Sequence, residues 1–216
     1  MALDDTLVTA RHFEYIAKRT TGEDTFLASL RAAAKKEGIP PISIGPAQGS
    51  FLQIVLKLAR AKTVVEVGTL AGYSAIWMAR ALPPGGVLHT IEYLEKHADF
   101  ARRWAAKSDV ADRIIVHQGD GRSVMKTFPD GFADATFLDA DKKSYPIYLK
   151  ESLRLLRPGG LVMVDNAFAF GQLFDKKPTD DEAPAVQKFN EVMARTKEVH
   201  GIIVPLGDGC WVGVKR

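Results

Sequence analysis

One cysteine, Cys210, occurs in the whole chain. A lone thiol excludes an internal disulfide and a cysteine-rich metal site. No apolar run reaches the roughly 18 residues that a membrane span needs. The opening residues, Met1-Ala2-Leu3-Asp4-Asp5, are acidic and lack the basic and apolar regions of a signal peptide. The expected location is therefore the cytoplasm. Positive charge is thin: the net charge is +3, and Arg102-Arg103 and Lys142-Lys143 are isolated pairs. Neither nucleic acid nor a membrane is an expected partner. Repeats and low-complexity segments are absent. So is Gly-x-Gly-x-x-Gly, the fingerprint of dinucleotide binding, which argues against a nicotinamide-dependent oxidoreductase.

What is present suits one globular domain. The 216 residues are 46% hydrophobic and 25% charged, enough to bury a real core. We expect a single domain over residues 1–216, with a helical extension at 1–40 and a core at 41–216. In the extension, Val8, Phe13, Ile16 and Ala17 mark one apolar stripe. Phe26, Leu27, Leu30 and Ala33 mark another. These predict two helices between residues 6 and 37, parted by Gly22. Residues 38–49 read as an extended linker, and Phe51 to Leu58 as a helix.

The core is organised around Thr63-Val64-Val65-Glu66-Val67-Gly68-Thr69-Leu70-Ala71-Gly72-Tyr73-Ser74. It reads as a buried strand, a glycine turn and a helix that runs to Leu82, where Pro83-Pro84-Gly85-Gly86 stops it. A second strand, Val87 to Ile91, ends in Glu92. Further strands are expected at 113–117, 134–139 and 161–164, with helices between them. Arg157-Pro158-Gly159-Gly160 should end the helix before the fifth strand. Residues 171–181 form a polar loop, followed by a helix through Val186, Phe189, Val192 and Met193. The chain closes with two strands joined by Gly207-Asp208-Gly209, a hairpin turn.

The alternation implies an α/β fold: a Rossmann-like, doubly wound, seven-stranded and mostly parallel sheet with a C-terminal antiparallel hairpin and helices on both faces. Right-handed crossovers put the strands' C-terminal ends on one rim, where ligands bind. Glu66, Glu92, Asp120, Asp139 and Asp165 all fall at or near those ends. If the strands ending at Asp139 and Asp165 are neighbours, their tips lie about 4.8 Å apart. Asp139, Asp165 and Asn166 can then share one hard cation, Mg²⁺ first, leaving coordination positions for a substrate's oxygens. Asp165-Asn166 alone also suits a plain turn.

Phe137-Leu138-Asp139-Ala140-Asp141-Lys142-Lys143-Ser144-Tyr145 resembles the Asp-Ala-Asp-Lys-x-x-Tyr motif of the cation-dependent O-methyltransferases, the group of the catechol and caffeoyl-coenzyme A enzymes. Glu66-Val67-Gly68-Thr69-x-x-Gly72-Tyr73-Ser74, Val164-Asp165-Asn166, Leu156 to Gly160 and Leu206 to Gly209 resemble its other motifs. The resemblance spans about residues 40 to 216. It implies that Asp139, Asp165 and Asn166 hold Mg²⁺ or Mn²⁺ and that Lys142 is the general base beside Asp139. It implies that Ile44, Glu66, Gly68, Thr69, Ser74, Glu92, Gly121, Asp139 and Asp141 surround S-adenosylmethionine, with Glu92 on the ribose hydroxyls. The implied acceptor is a small aromatic with vicinal hydroxyls, and the implied assembly a homodimer. The alternative is a methyltransferase with a different acceptor. One position departs from the family: Ala169 stands where better-known members carry Trp. Phe168 and Phe170 either line the acceptor pocket instead or pack against the sheet edge.

Overall fold

The computed structural model of the protein describes residues 8–216. Residues 6 and 7 of the expected first helix lie outside the described residues. Three helices precede the sheet: α1 (Ala10–Ala17), α2 (Thr25–Lys36) and α3 (Pro46–Leu58). The core then runs β1 (Thr63–Val67), α4 (Tyr73–Ala79), β2 (Val87–Glu92), α5 (Glu95–Ala105), β3 (Ile114–Gln118), α6 (Gly121–Val124), β4 (Ala133–Leu138), α7 (Tyr145–Leu155) and β5 (Leu156–Val164). α8 (Ala183–Arg195), β6 (Val199–Val204) and β7 (Cys210–Lys215) complete the chain.

The seven strands form one sheet in the order β3-β2-β1-β4-β5-β7-β6. β3 to β5 pair in parallel, and β7 pairs antiparallel with both β5 and β6. The chain moves outward in one direction through β1, β2 and β3, then restarts on the other side at β4. The switch therefore falls between β1 and β4, where their connecting loops part and leave a crevice.

Side-chain alternation divides the core. Val64, Phe137, Leu161 and Met163 pack with Leu52, Leu56, Ile76 and Phe100 of α3, α4 and α5. Val65, Val67, Leu138, Val162 and Val164 pack on the opposite face with Tyr145, Leu149, Phe189 and Met193 of α7 and α8. A strand covered on both faces needs apolar residues at nearly every position, which is why β1 and the 161–164 part of β5 are near-continuous apolar runs rather than alternating ones. By the same period-two rule Glu66 faces the α4 side.

Several boundaries differ from the sequence expectation. α3 begins at Pro46, five residues before Phe51, because proline at the first helical position has no N–H to leave unpaired. α4 stops at Ala79; Ala81 and Leu82 donate to Met78 and Ala79 instead, tightening the end into a 3₁₀ turn. The helix expected through Phe128 is only the single turn of α6 followed by a 3₁₀ turn over Met125–Thr127. β5 starts at Leu156, before the Arg-Pro-Gly-Gly segment, and its register with β4 shifts between Ala133 and Ala135 to absorb the extra residues. α1 buries none of its residues, so Phe13 and Ile16 are exposed rather than packed on the core. Among the described residues no helix is long and apolar enough to cross a membrane.

Candidate active site

The crevice at the switch is a cavity of about 850 Å³ lined by the loops that follow β1, β2, β3, β4 and β5. Its shape depends on glycine. Gly68 has φ +105°, and a Cβ there would collide with the backbone carbonyl oxygen of Asp139. The β1 tip thus lies directly against the β4 tip. At Gly121 a Cβ would sit 2.7 Å from Val67 and 3.1 Å from the Tyr148 ring, so the α6 turn can close onto β1 only without a side chain.

On the β1–β2 side, Glu92 is buried and both of its oxygens are anchored. One accepts the Leu70 N–H at 2.8 Å and the other the Leu94 N–H at 2.9 Å. Each oxygen keeps a second lone pair for a ligand. Thr69 bonds the Thr90 hydroxyl at 2.5 Å. Ser74, Gly68, Thr69, Gly121 and Ile44 all line the cavity. Glu66 does not. It lies wholly buried behind the wall, accepting the Ser74 hydroxyl on one oxygen, while the other has no partner. Burial pushes its carboxyl up to about 8, partly offset by the Ser74 and Thr90 hydroxyls. Its contact with the cavity runs through Ser74.

On the β4–β5 side the residues just past each strand supply the chemistry: Asp139, Asp141 and Lys142 after β4, Asp165 and Asn166 after β5. Asp141 caps the 3₁₀ turn Lys142–Ser144 by accepting the Ser144 N–H at 3.0 Å, and it also accepts the Tyr148 hydroxyl at 2.7 Å. Lys142 is almost completely buried. Its ammonium lies 3.0 Å from Asp139 Oδ1 and 2.8 Å from the Tyr145 hydroxyl. Burial and the charges of Asp139 and Asp165 keep Tyr145 well above the usual phenol range, so it remains a neutral phenol.

Asp165 accepts the Gln48 amide at 2.6 Å. Burial, and then the facing charge of Asp139, push its carboxyl up to about 7. Asn166 follows with φ +62° and donates its amide N–H to Asp208 at 3.2 Å. A carboxylate can only accept, so Asp208 fixes which end of the Asn166 amide faces it, and Oδ1 is the end left over. Asp139, Asp165 and Asn166 all line the same cavity. Two facing carboxylates, with one amide oxygen, form a hard donor set that fits a divalent cation with open positions. Among the described residues no trio drawn from His, Cys, Asp and Glu is suited to a metal; here the third donor is an amide.

The segment after Asn166 resolves the two aromatic alternatives separately. Phe170 lines the cavity, its ring centre 6.0 Å from the Lys142 ammonium. Phe168 lies over Gly209, where a Cβ would come within 2.9 Å of its ring, and it is packing rather than wall. Ala169 is fully buried against Ala183 and Val186 at the start of α8. Four residues escaped the sequence reading: Gln48, Asp208, Asp180 and Glu182. Glu182 lines the cavity and accepts the Lys142 N–H at 3.0 Å. Pro46 was the available signal for Gln48, since it announces a helix whose first turn contains that residue.

A sequence profile described as O-methyltransferase matches residues 17–216. The chain belongs to the O-methyltransferase family. It is 36% identical over 205 residues to a catechol O-methyltransferase of Niastella koreensis, covering 94% of this chain and 90% of that one. Among solved structures, an O-methyltransferase from Bacillus cereus in complex with SAH superposes with a TM-score of 0.85 at 30% identity, covering 94% and 96% of the two chains. TomG from Streptomyces achromogenes, an O-methyltransferase of tomaymycin synthesis in complex with SAM, gives 0.83 at 31% identity, covering 94% of each. The seven-stranded sheet agrees with that membership.

Proposed function

We propose that this protein transfers the methyl group of S-adenosylmethionine to one hydroxyl of a small aromatic acceptor with vicinal hydroxyls, and that it uses Mg²⁺ or Mn²⁺ held by Asp139, Asp165 and Asn166. The observation that carries the reading is the meeting of these three donors and Lys142 in the crevice that opens on the Gly68 turn. The names of the relatives support a catechol acceptor, and the SAM and SAH of the solved neighbours support the methyl donor.

In this reading Glu92 would take the ribose hydroxyls of the cofactor, and Ser74, Gly121 and Asp141, which line the same cavity, would help to hold it. When bound, the divalent cation would neutralise the facing carboxylates and lower the pKa of a hydroxyl beside it. Lys142, as the neutral amine, receives the hydroxyl proton on Nζ and becomes the ammonium. Tyr145 and Asp139 hold that amine in place, and Glu182 holds its backbone. The acceptor oxygen then forms a bond to the methyl carbon. The carbon–sulfur bond breaks with its electron pair left on sulfur, releasing S-adenosylhomocysteine. Holding oxygen, methyl carbon and sulfur in line supplies much of the rate. Phe170 flanks the acceptor ring.

We also read the protein as a cytoplasmic homodimer. The unburied Phe13, Tyr15 and Ile16 of α1 support an assembly, and light scattering across concentration tests it. For the activity, purified protein is mixed with S-adenosylmethionine and a panel of dihydroxyphenyl compounds, with and without chelator, and products are weighed by mass spectrometry. Methylated product that disappears on chelation and returns with Mg²⁺ is expected. Turnover that survives complete chelation overturns the cation, and no methylated catechol under any condition overturns the acceptor.

A further inference from the structure

Asp165 and Asn166 lie beyond the end of β5 and belong to no regular element. The Asp165 N–H donates to the Leu138 carbonyl oxygen at 3.0 Å, which holds the backbone there and leaves the side chains to other partners. Two residues from distant parts of the chain fix those side chains. Gln48, in the first turn of α3 and 3% exposed, donates to Asp165 Oδ1 at 2.6 Å. Asp208, in the loop between β6 and β7, accepts the Asn166 amide at 3.2 Å.

Asp208 does more than hold Asn166. Its carboxylate also accepts the N–H groups of Phe170, at 2.8 Å, and Gly171, at 3.2 Å. Ala169, Phe170 and Gly171 all have positive φ, +54°, +58° and +76°. Non-glycine residues hold such angles only when their surroundings impose them, and successive N–H groups in that conformation converge on one anion. Here the anion is Asp208. The Asp208 carbonyl oxygen accepts the Phe168 N–H and the Gly209 carbonyl oxygen the Ala167 N–H, so the two loops are bonded along their length.

The two supports also touch. A Cβ at Gly207 would sit 2.6 Å from Gln48 Oε1, so the loop carrying Asp208 lies directly on the residue that holds Asp165.

We propose that Gln48 and Asp208 are positioning residues that together set the cation affinity of Asp165 and Asn166, and that Asp208 also sets the acceptor wall at Phe170. The inference rests on the cation site of the preceding section. Groups that orient metal ligands from behind typically change affinity about 10- to 100-fold when removed. Because the two supports are in contact, their effects are not additive.

The test uses the full chain and Mn²⁺ as the probe, read by electron paramagnetic resonance. Wild type, Gln48→Met, Asp208→Asn, the double variant and Asp139→Ala are titrated with Mn²⁺, and S-adenosylmethionine affinity is measured in parallel by calorimetry. Expected is about 10- to 100-fold weaker Mn²⁺ binding in each single variant. The double variant should lose less than the product of the two, with S-adenosylmethionine affinity retained in the Gln48 and Asp208 variants. At saturating cation, Asp208→Asn alone should raise the acceptor KM. If Gln48→Met does not fold, Gln48→Asn, an amide one methylene short, is measured in its place. Mn²⁺ affinities within twofold of a binding wild type overturn the proposal and leave the cation site standing. Equal binding by wild type and Asp139→Ala, or none by wild type, overturns the cation site and this proposal with it.

Discussion

Replacing Glu66 by Gln should flatten the dependence of stability on pH. Glu66 is wholly buried, with one oxygen unpartnered, and burial raises its carboxyl from 4.5 to about 8 in the folded protein. The folded state therefore keeps a proton that the unfolded chain releases above about pH 4.5. Where the folded state binds more protons, stability falls as pH rises. The loss begins near 4.5, grows by about 1.4 kcal/mol per pH unit, and levels off above about 8, with a ceiling of about 5 kcal/mol. That ceiling corresponds to ~10–20 °C in Tm for a chain of this size. In Glu66→Gln the amide still accepts the Ser74 hydroxyl. Its unpaired N–H costs about 1–3 kcal/mol, but at every pH. The slope rather than the absolute stability is the readout. Urea unfolding of wild type and variant, with chelator and without S-adenosylmethionine, is measured from pH 4 to 9. Wild-type stability should fall more steeply than the variant's between pH 5 and 8, and the two curves should run parallel outside that window. Parallel curves throughout would refute the buried, protonated Glu66.

Lys142→Met should lower kcat about 10²- to 10⁴-fold, as loss of a general base does, while calorimetry finds S-adenosylmethionine binding retained. Phe170→Ala should raise the KM for a small dihydroxyphenyl acceptor about tenfold or more, because an apolar flank is worth about 1–3 kcal/mol, with kcat changed less. Ala169→Trp should not rebuild the family's aromatic wall. Residue 169 is fully buried against α8, so overpacking should lower stability by about 1–3 kcal/mol, seen as a lower urea midpoint.

The strand tips were legible in the sequence because short apolar runs ending in an acid declare both the strand and its terminus. Asp139, Asp141, Asp165 and Asn166 fall in the one cavity that this reading implies. What stayed hidden depends on tertiary packing. Gln48 and Asp165 are 117 residues apart, and no local periodicity joins them. Asp208 read only as a turn residue, since its three acceptor contacts go to a loop that is contiguous with it only after the sheet forms. The resemblance put Glu66 among the residues around the cofactor; what it could not show is that the pleat turns Glu66 toward α4, so that it meets the cavity only through Ser74. Phe168 and Phe170 differ by two residues, yet the left-handed backbone at 169–171 breaks strand alternation and gives them separate roles.

The central claim is that three side-chain oxygens at neighbouring strand tips take one divalent ion beside the methyl donor. A crystal grown with Mn²⁺ and S-adenosylhomocysteine, with data collected near the manganese edge, tests it directly. The account predicts one anomalous peak about 2.1 Å from oxygens of Asp139, Asp165 and Asn166. A cavity holding S-adenosylhomocysteine with no peak at those three residues would contradict it.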